Sequence, residues 1–275
     1  MTTTVDSMRV SGYGLTARNP KVKFRFNDKV LHGIDGESLG AALLANHIRL
    51  VGRSFKYHRP RGLIGIGSEE PNALVSIERP TGIEPNSRAT MVRIYEGLSA
   101  KSQNHWPSLE TDFGALTSYF SPLLPAGFYY KTFMGPSGAW QFYERMIRRM
   151  AGLGNVPETP DTDFSTKTHA HCDVLVAGGG GAGLASALAA GRAGARVILA
   201  DENPWFGLGL LGENHTINET IAYEWVERTI DELRSLPNVT VVPNTTVIGR
   251  YEDGFITTIE TLRDSPNLPG ERIPR

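Results

Sequence analysis

The sequence predicts a two-domain protein of mixed α+β and α/β class. Three observations support this fold class: apolar and charged residues alternate from Lys21, a polar segment contains Pro157 and Pro160, and an apolar run at Val174 leads into consecutive glycines. Single hydrophobic cores rarely grow beyond roughly 250 residues, and the chain has 275 residues, which favours two cores. We therefore predict a first domain over residues 21–100 and a second over 172–275.

The first predicted domain is a small β-grasp. Residues 1–20 show no apolar periodicity, so we expect a flexible arm before it. Apolar and charged residues alternate over 22–26, and a turn at 27–28 leads into a second strand. Residues 39–48 have apolar side chains at helical spacing, and 74–77 form an apolar run typical of a buried strand. This order of hairpin, helix and strand is typical of a β-grasp.

One unusual stretch precedes this strand and another follows it. Residues 49–61 form a basic loop that either binds an anion or an acidic neighbour, or is a solvated loop anchored by its arginines. Residues 101–151 form an aromatic-rich strap that ends in a helix, and 152–171 form the interdomain linker. The apolar area of the strap must be covered, either by another domain or subunit or by packing inside the same chain.

The clearest chemical pattern is a run of glycines between a strand and a helix. An apolar run at 174–177 is followed by Gly178-x-Gly180-x-x-Gly183 and an alanine-rich helix. In this spacing the first glycine allows a tight turn, the second lets the backbone approach a pyrophosphate, and the third lets helix and strand pack closely. The free amides and positive dipole at the start of the helix then face the phosphates.

An acidic pair completes the predicted dinucleotide-binding unit. Asp201 and Glu202 follow a second strand at 197–200, where a carboxylate can accept hydrogen bonds from the adenosine ribose. Two adjacent carboxylates repel a 2′-phosphate, so NAD or FAD is preferred over NADP. The alternative is a glycine-rich turn that binds nothing. A third strand at 239–242 and a hairpin over 246–261 follow, and no later strand is predicted, so this Rossmann-like FAD/NAD(P)-binding domain is expected to be incomplete.

Composition excludes several classes of function. The single cysteine, Cys172, cannot form an intramolecular disulfide, an all-cysteine zinc site or a cysteine-ligated iron–sulfur cluster, and we predict no metal site. The 28 basic and 29 acidic residues nearly balance, so no nucleic-acid or membrane partner is expected. Neither a targeting signal nor a membrane-spanning run is apparent, which together with the cysteine usage predicts a cytoplasmic protein.

Long sequence runs resemble the alpha subunits of heterotetrameric sarcosine oxidases. These runs are RSFKYHRPRG at 53–62, EEPNALV at 69–75 and PAGFYYKTFM at 125–134. With the glycine pattern, the resemblance extends from Lys21 to about Thr257. It implies a ferredoxin-like first domain that lacks its cluster, because the positions where cysteines would fall, near Gly65, Glu70 and Ala73, contain none.

The resemblance also implies a reaction, cofactors and partners. The family demethylates sarcosine with oxygen and releases glycine, hydrogen peroxide and a one-carbon unit captured by tetrahydrofolate. It implies NAD on this chain, FAD and FMN on or between other subunits, and beta, gamma and delta partner subunits. The folate-binding domain lies far downstream in the family, so it is not expected within these 275 residues. No catalytic residue is therefore expected on this chain, which should be inactive alone.

The same resemblance extends the predicted cofactor site beyond the glycines. It adds Ala182 at the phosphate turn, Asn203 beside the acidic pair, and Gly209 and Val247. At Asn203 and Gly209 the family commonly has a longer polar residue and a hydroxyl residue, so this sequence departs from its pattern there. Two other functions stay open: an FAD-binding subunit of a related amine or opine dehydrogenase, and a non-catalytic fragment of a split gene.

Overall fold

The computed structural model divides the chain into two compact units, Met1–Asp161 (unit 1) and Thr162–Arg275 (unit 2). It describes residues 8–9, 15–17, 19–79, 82–123, 127, 135–136, 138–150, 152–154, 160, 166–212, 215–261 and 272–274. Most of the predicted arm lies outside these ranges, as do residues 124–126 and 128–134 of the strap and half of the linker. Each unit is described by itself.

The start of unit 1 is the predicted hairpin followed by a helix. Strands β1 (Lys21–Phe26) and β2 (Lys29–Ile34) pair antiparallel, and the apolar side chains of β1 alternate into the core. Helix α1 (Leu39–Ala45) begins where the Ser38 hydroxyl accepts a hydrogen bond from the amide of Ala41, 3.2 Å away. A hydroxyl in this position satisfies an amide that has no partner within the helix. The predicted hairpin and helix are confirmed.

A mixed five-stranded sheet builds the body of unit 1. Its other strands are β5 (Leu74–Arg79), β6 (Gly82–Arg88) and β7 (Ser99–Ser102), and the order is β2-β1-β7-β5-β6. Strand β7 runs parallel to β1, whereas the other pairs are antiparallel. Two short strands, β3 (Gly52–Arg53) and β4 (Pro60–Arg61), pair within the basic loop. The core lies between α1 and the sheet, as a β-grasp requires.

The strap contains a 3-10 segment and the predicted helix. The 3-10 segment spans Phe113–Leu123, and helix α2 spans Trp140–Met150. Several described aromatic side chains of the strap remain exposed, with 79% exposure at Tyr119 and 68% at Trp106. Among the described residues of unit 1, packing therefore leaves these side chains exposed.

Unit 2 begins with two strand–helix–strand steps. Strands β8 (Val174–Ala177), β9 (Val197–Ala200) and β12 (Val239–Val242) form a parallel sheet in the order β12-β9-β8. Helices α3 (Gly181–Arg192) and α4 (Ala222–Ser235) connect them and bury Leu184, Ala187, Val226, Ile230 and Leu233. This is the predicted βαβαβ order of a dinucleotide-binding half.

Two small antiparallel sheets complete unit 2. The predicted hairpin is confirmed as β13 (Thr245–Arg250) and β14 (Ile256–Thr261). Strand β15 (Arg272–Pro274) adds to it, although the proline-rich end of the chain does not predict a strand. Strands β10 (Thr216–Ile217) and β11 (Thr220–Ile221) form a further hairpin that the sequence pattern missed. Its two turn residues both have positive φ, the conformation that matches the twist of a two-residue hairpin.

Candidate functional site

The glycine turn at the end of β8 is shaped by close backbone packing. Gly178 adopts a φ of 101°, a backbone conformation that residues with a side chain rarely adopt. Its amide donates a hydrogen bond to the carbonyl of Ala200 over 2.8 Å. A Cβ atom on Gly183 would lie 1.9 Å from the Gly178 carbonyl oxygen. Helix α3 therefore approaches the turn as closely as it does because Gly183 has no side chain.

The space above Gly180 is open. A Cβ atom on Gly180 would meet no atom within 4 Å, and its backbone is extended with φ −71°. No side chain caps α3, whose first turn contains Gly181, the exposed Ala182 and Gly183. The first amides of a helix have no acceptor within it, so those of α3 are available to an anion that approaches over Gly180.

The Asp201 carboxylate is hydrogen-bonded to the glycine turn. Its Oδ2 accepts the Gly179 amide over 2.6 Å, and its Oδ1 accepts the backbone and side-chain N–H groups of Asn203 over 2.7 and 3.1 Å. Glu202 is half-buried beside it. The structure thus brings Asp201 and Asn203 together with the glycine turn, and Glu202 adjoins them in the chain.

Strand β13 is joined to the acidic end of β9 through its backbone. The Thr245 amide donates to the Asp201 carbonyl over 2.7 Å, and the Asn244 amide donates to the Asn203 carbonyl over 3.0 Å. Val247 lies two residues further along β13 and is half-buried. The other predicted position, Gly209, lies in the 3-10 segment Leu208–Leu210, exposed and with open space around it.

Phe206 and Gly207, which the sequence analysis does not single out, contact the glycine turn at Gly179. The Gly207 amide donates to the Gly179 carbonyl over 2.8 Å. Phe206 is buried, and a Cβ atom on Gly179 would lie 2.1 Å from its ring. Gly179 thus needs to be a glycine although it is a variable position of the fingerprint. An apolar residue before a glycine, shortly after the acidic pair, was the available sequence signal.

The basic loop of unit 1 is anchored through Arg53. The Arg53 guanidinium donates to the carbonyls of Leu109, Glu110 and His58 over 2.7 to 3.0 Å. The His58 ring is buried with its Nδ1 2.7 Å from the Asp112 carboxylate. Of the two interpretations of this loop, these contacts favour the arginine-anchored one at Arg53.

Profiles of two protein families match separate parts of the chain. One, described as a 2Fe-2S iron-sulfur cluster binding domain, matches residues 19–105. The other, described as an FAD dependent oxidoreductase, matches residues 173–235. The chain therefore combines a ferredoxin-like domain with an FAD-dependent oxidoreductase-type domain, which confirms the predicted fold class.

Comparison with curated proteins identifies relatives of nearly the whole chain. The sarcosine oxidase subunit alpha of Rhizobium meliloti (strain 1021) is 49% identical over 271 residues, 98% of this chain. The chain is a homologue of the sarcosine oxidase alpha subunit. A subunit alpha from Corynebacterium sp. (strain U-96) is 29% identical over 87% of the chain. This chain spans 28% and 20% of the lengths of these two relatives.

A solved structure supports the fold alone. The L-proline dehydrogenase from P. horikoshii aligns with a TM-score of 0.56 and 19% identity, over 94% of this chain and 39% of that one. Among the described residues, no helix is long and apolar enough to cross a membrane. Within the same residues, no group of three or more His, Cys, Asp or Glu side chains is placed to hold a metal ion.

The side chains of unit 1 do not fit an iron–sulfur cluster. Such clusters are held by four thiolates, or by two thiolates and two imidazoles. The one cysteine of the sequence, Cys172, lies outside residues 19–105. The match to a cluster-binding family thus reflects the fold of this domain and not its ligand set.

Proposed function

We propose that unit 2 binds a dinucleotide, with NAD as its ligand. The observation that carries this proposal is the contrast within the glycine turn. Gly183 has no space for a Cβ atom because helix α3 packs on the turn, whereas Gly180 faces open space beside the uncapped start of that helix. A turn that only joined a strand to a helix would not need this open approach to the amides of α3.

The surrounding residues divide the recognition of the ligand. The amides at the start of α3 would bind the pyrophosphate. Oδ1 of Asp201 already accepts two N–H groups from Asn203, and Oδ2 accepts one from Gly179, so Oδ2 retains capacity for one ribose hydroxyl. Glu202 would accept from the second hydroxyl. Bound NAD would supply hydride-transfer capacity, and the role of the chain is to hold and orient it.

The homology to sarcosine oxidase alpha subunits supports a second part of the proposal, a role for unit 2 within a larger enzyme. We propose that the chain contributes to an oxidoreductase complex that converts sarcosine to glycine with release of hydrogen peroxide and transfer of a one-carbon unit to tetrahydrofolate. Partner subunits would hold FAD and FMN. The 49% identity supports this assignment, and the chain spans 28% of the length of that relative. Because partner subunits would hold the flavins, we expect this chain alone to be inactive.

FAD is the second candidate ligand of the same turn. The match of residues 173–235 to an FAD dependent oxidoreductase profile favours it. A glycine turn, an acidic residue and uncapped amides serve both dinucleotides in the same way. The two candidates differ in the ring that follows the shared adenosine diphosphate.

Native mass spectrometry and a visible spectrum of the purified chain test both candidates. A bound mass equal to NAD, with no visible flavin absorption, is the expected result. A yellow protein with the mass of FAD would favour the second candidate. Failure to bind either ligand, even after each is added to the folded chain, would contradict the dinucleotide proposal.

A further inference from the structure

The loop that leads into β5 contains a fully buried carboxylate. Glu70 has 0% of its surface exposed, whereas its neighbour Glu69 is exposed. The hydrogen bonds that its carboxylate accepts from the described residues come from backbone amides, and none comes from a Lys, Arg or His side chain. A buried carboxylate without a cationic partner must have its charge stabilised by hydrogen bonds. The backbone of the same loop supplies them.

Three amides converge on the two oxygens of this side chain. The Ile64 and Gly65 amides donate to Oε2 over 2.8 and 2.7 Å, and the Asn72 amide donates to Oε1 over 2.7 Å. Burial raises the pKa of Glu70, but the amides of Gly65, Asn72, Ile64 and Ala73 outweigh burial and leave the pKa below its ordinary value. The charged form is thus favoured although no water reaches it.

The same loop contains the positions at which the family resemblance implies the cysteines of a cluster. These positions fall near Gly65, Glu70 and Ala73, within the residues that match the cluster-binding family, and none of them is a cysteine. A Cβ atom on Gly65 would lie 3.2 Å from both the Glu69 carbonyl oxygen and the Glu70 Cα. The loop backbone is therefore closed tightly around Glu70, with little room for a side chain at position 65.

We propose that the Glu70 carboxylate is the anion that organises this loop in place of an iron–sulfur cluster. A thiolate-ligated cluster is an anionic centre that receives hydrogen bonds at its sulfurs. A carboxylate is also an anion, and each of its oxygens has two acceptor sites, so it can hold several amides together. In this protein the anion belongs to the chain itself. The loop from Ile64 to Ala73 consequently keeps its shape without iron, and it delivers Ala73 and Val75 to the core.

The proposal predicts an anion-specific response from the full chain. Glu70→Ala leaves the amides of Ile64, Gly65 and Asn72 without their acceptor, next to a space that formate can enter. We expect hydrogen exchange at these three amides to accelerate by at least about tenfold, because each loses a charge-assisted hydrogen bond. Added formate should restore most of the protection and raise the melting temperature, whereas chloride at equal ionic strength should not.

Two further variants keep the test decisive. Glu69→Ala removes the exposed neighbouring carboxylate and should change neither exchange at these amides nor the response to formate. Glu70→Gln retains the volume and one acceptor oxygen, so it serves if Glu70→Ala does not fold. It should still accelerate exchange at one or more of the three amides. The proposal is overturned if the exchange of these amides in Glu70→Gln matches the unmodified chain, or if formate protects Glu70→Ala no better than chloride does.

Discussion

The two glycines that flank the start of α3 predict opposite consequences of the same substitution. In Gly183→Ala the new methyl would lie 1.9 Å from the Gly178 carbonyl oxygen. Ordinary non-bonded contacts need roughly 3.5 Å, so helix and turn must separate by about 1.5 Å. In Gly180→Ala the methyl meets no atom within 4 Å, and the extended backbone there accommodates alanine.

The expected magnitudes follow from these contacts. Overpacking costs about 1–3 kcal/mol and occasionally more, and a backbone clash in a core belongs at the upper end. Replacing a helical glycine with alanine returns about 1 kcal/mol of helix propensity. Gly183→Ala should therefore lower the free energy of unfolding of unit 2 by about 2 kcal/mol. Gly180→Ala should cost less than about 1 kcal/mol, since it only replaces a glycine cap.

Nucleotide binding should rank the two variants differently from stability. The Gly180 methyl would occupy the space through which a pyrophosphate approaches the amides of α3. Loss of one amide–phosphate hydrogen bond costs about 1.5 kcal/mol or more, which is at least about tenfold in Kd. Gly180→Ala should thus keep a near-normal melting temperature and lose affinity. This separation distinguishes a blocked site from an unfolded one.

Denaturant unfolding and calorimetric titration of the full chain measure both quantities. If Gly183→Ala were as stable as Gly180→Ala, the close approach of helix and turn would not limit packing. If Gly180→Ala bound nucleotide as tightly as the unmodified chain, the pyrophosphate would not lie over Gly180. Either result would refute one specific step from the geometry to the function.

Four further predictions concern charge, pH, iron and activity. NADP should bind at least about tenfold more weakly than NAD, because its 2′-phosphate faces the Asp201 and Glu202 carboxylates, a repulsion of about 1.4 kcal/mol after solvent screening. Calorimetric titration should find this gap reduced in the double variant Asp201→Asn, Glu202→Gln, and equal affinities in the unmodified chain would contradict it. The lowered pKa of Glu70 means that its stabilising contribution is fully present above its ordinary value of 4.5 and is lost as pH falls through the folded-state pKa. Acid unfolding monitored by circular dichroism should therefore depend less on pH in Glu70→Gln than in the unmodified chain. The purified chain should contain no stoichiometric iron or sulfide, since one cysteine cannot supply four ligands, and one cluster per chain would refute this. The chain with added FAD and FMN should consume no oxygen with sarcosine, and turnover at an oxygen electrode would show that it holds a catalytic centre.

Sequence reasoning was most accurate where structure follows from neighbouring residues. The alternation over residues 22–26 predicts a half-buried strand because side chains of a strand point to opposite faces in turn. The glycine spacing after β8 predicts the strand–turn–helix because each glycine serves a contact within a few residues. The acidic pair is found by the same logic, as it follows the second parallel strand.

The missed features depend on contacts that no local pattern encodes. The hairpin at 216–221 has strands of two residues each, too short to show a period. The exposure of the Tyr119 side chain depends on which distant residues pack against it after folding, and no local sequence pattern encodes such contacts. Positions such as Val247 were assigned by resemblance, and the described contact between its strand and the acidic pair is the backbone hydrogen bond from Thr245 to Asp201.

The sequence by itself determined the order of elements, the dinucleotide fingerprint and the lack of cluster ligands, because each is a property of residue type and spacing. Only the tertiary structure decided that Gly179 is covered by Phe206, that Asp201 holds the glycine turn, and that Glu70 is the buried centre of its loop. Asp201 and Gly179 are 22 residues apart in the chain, so folding alone brings them together. Glu70 looks like its neighbour Glu69 in the sequence, and only the path of the backbone buries one carboxylate and exposes the other.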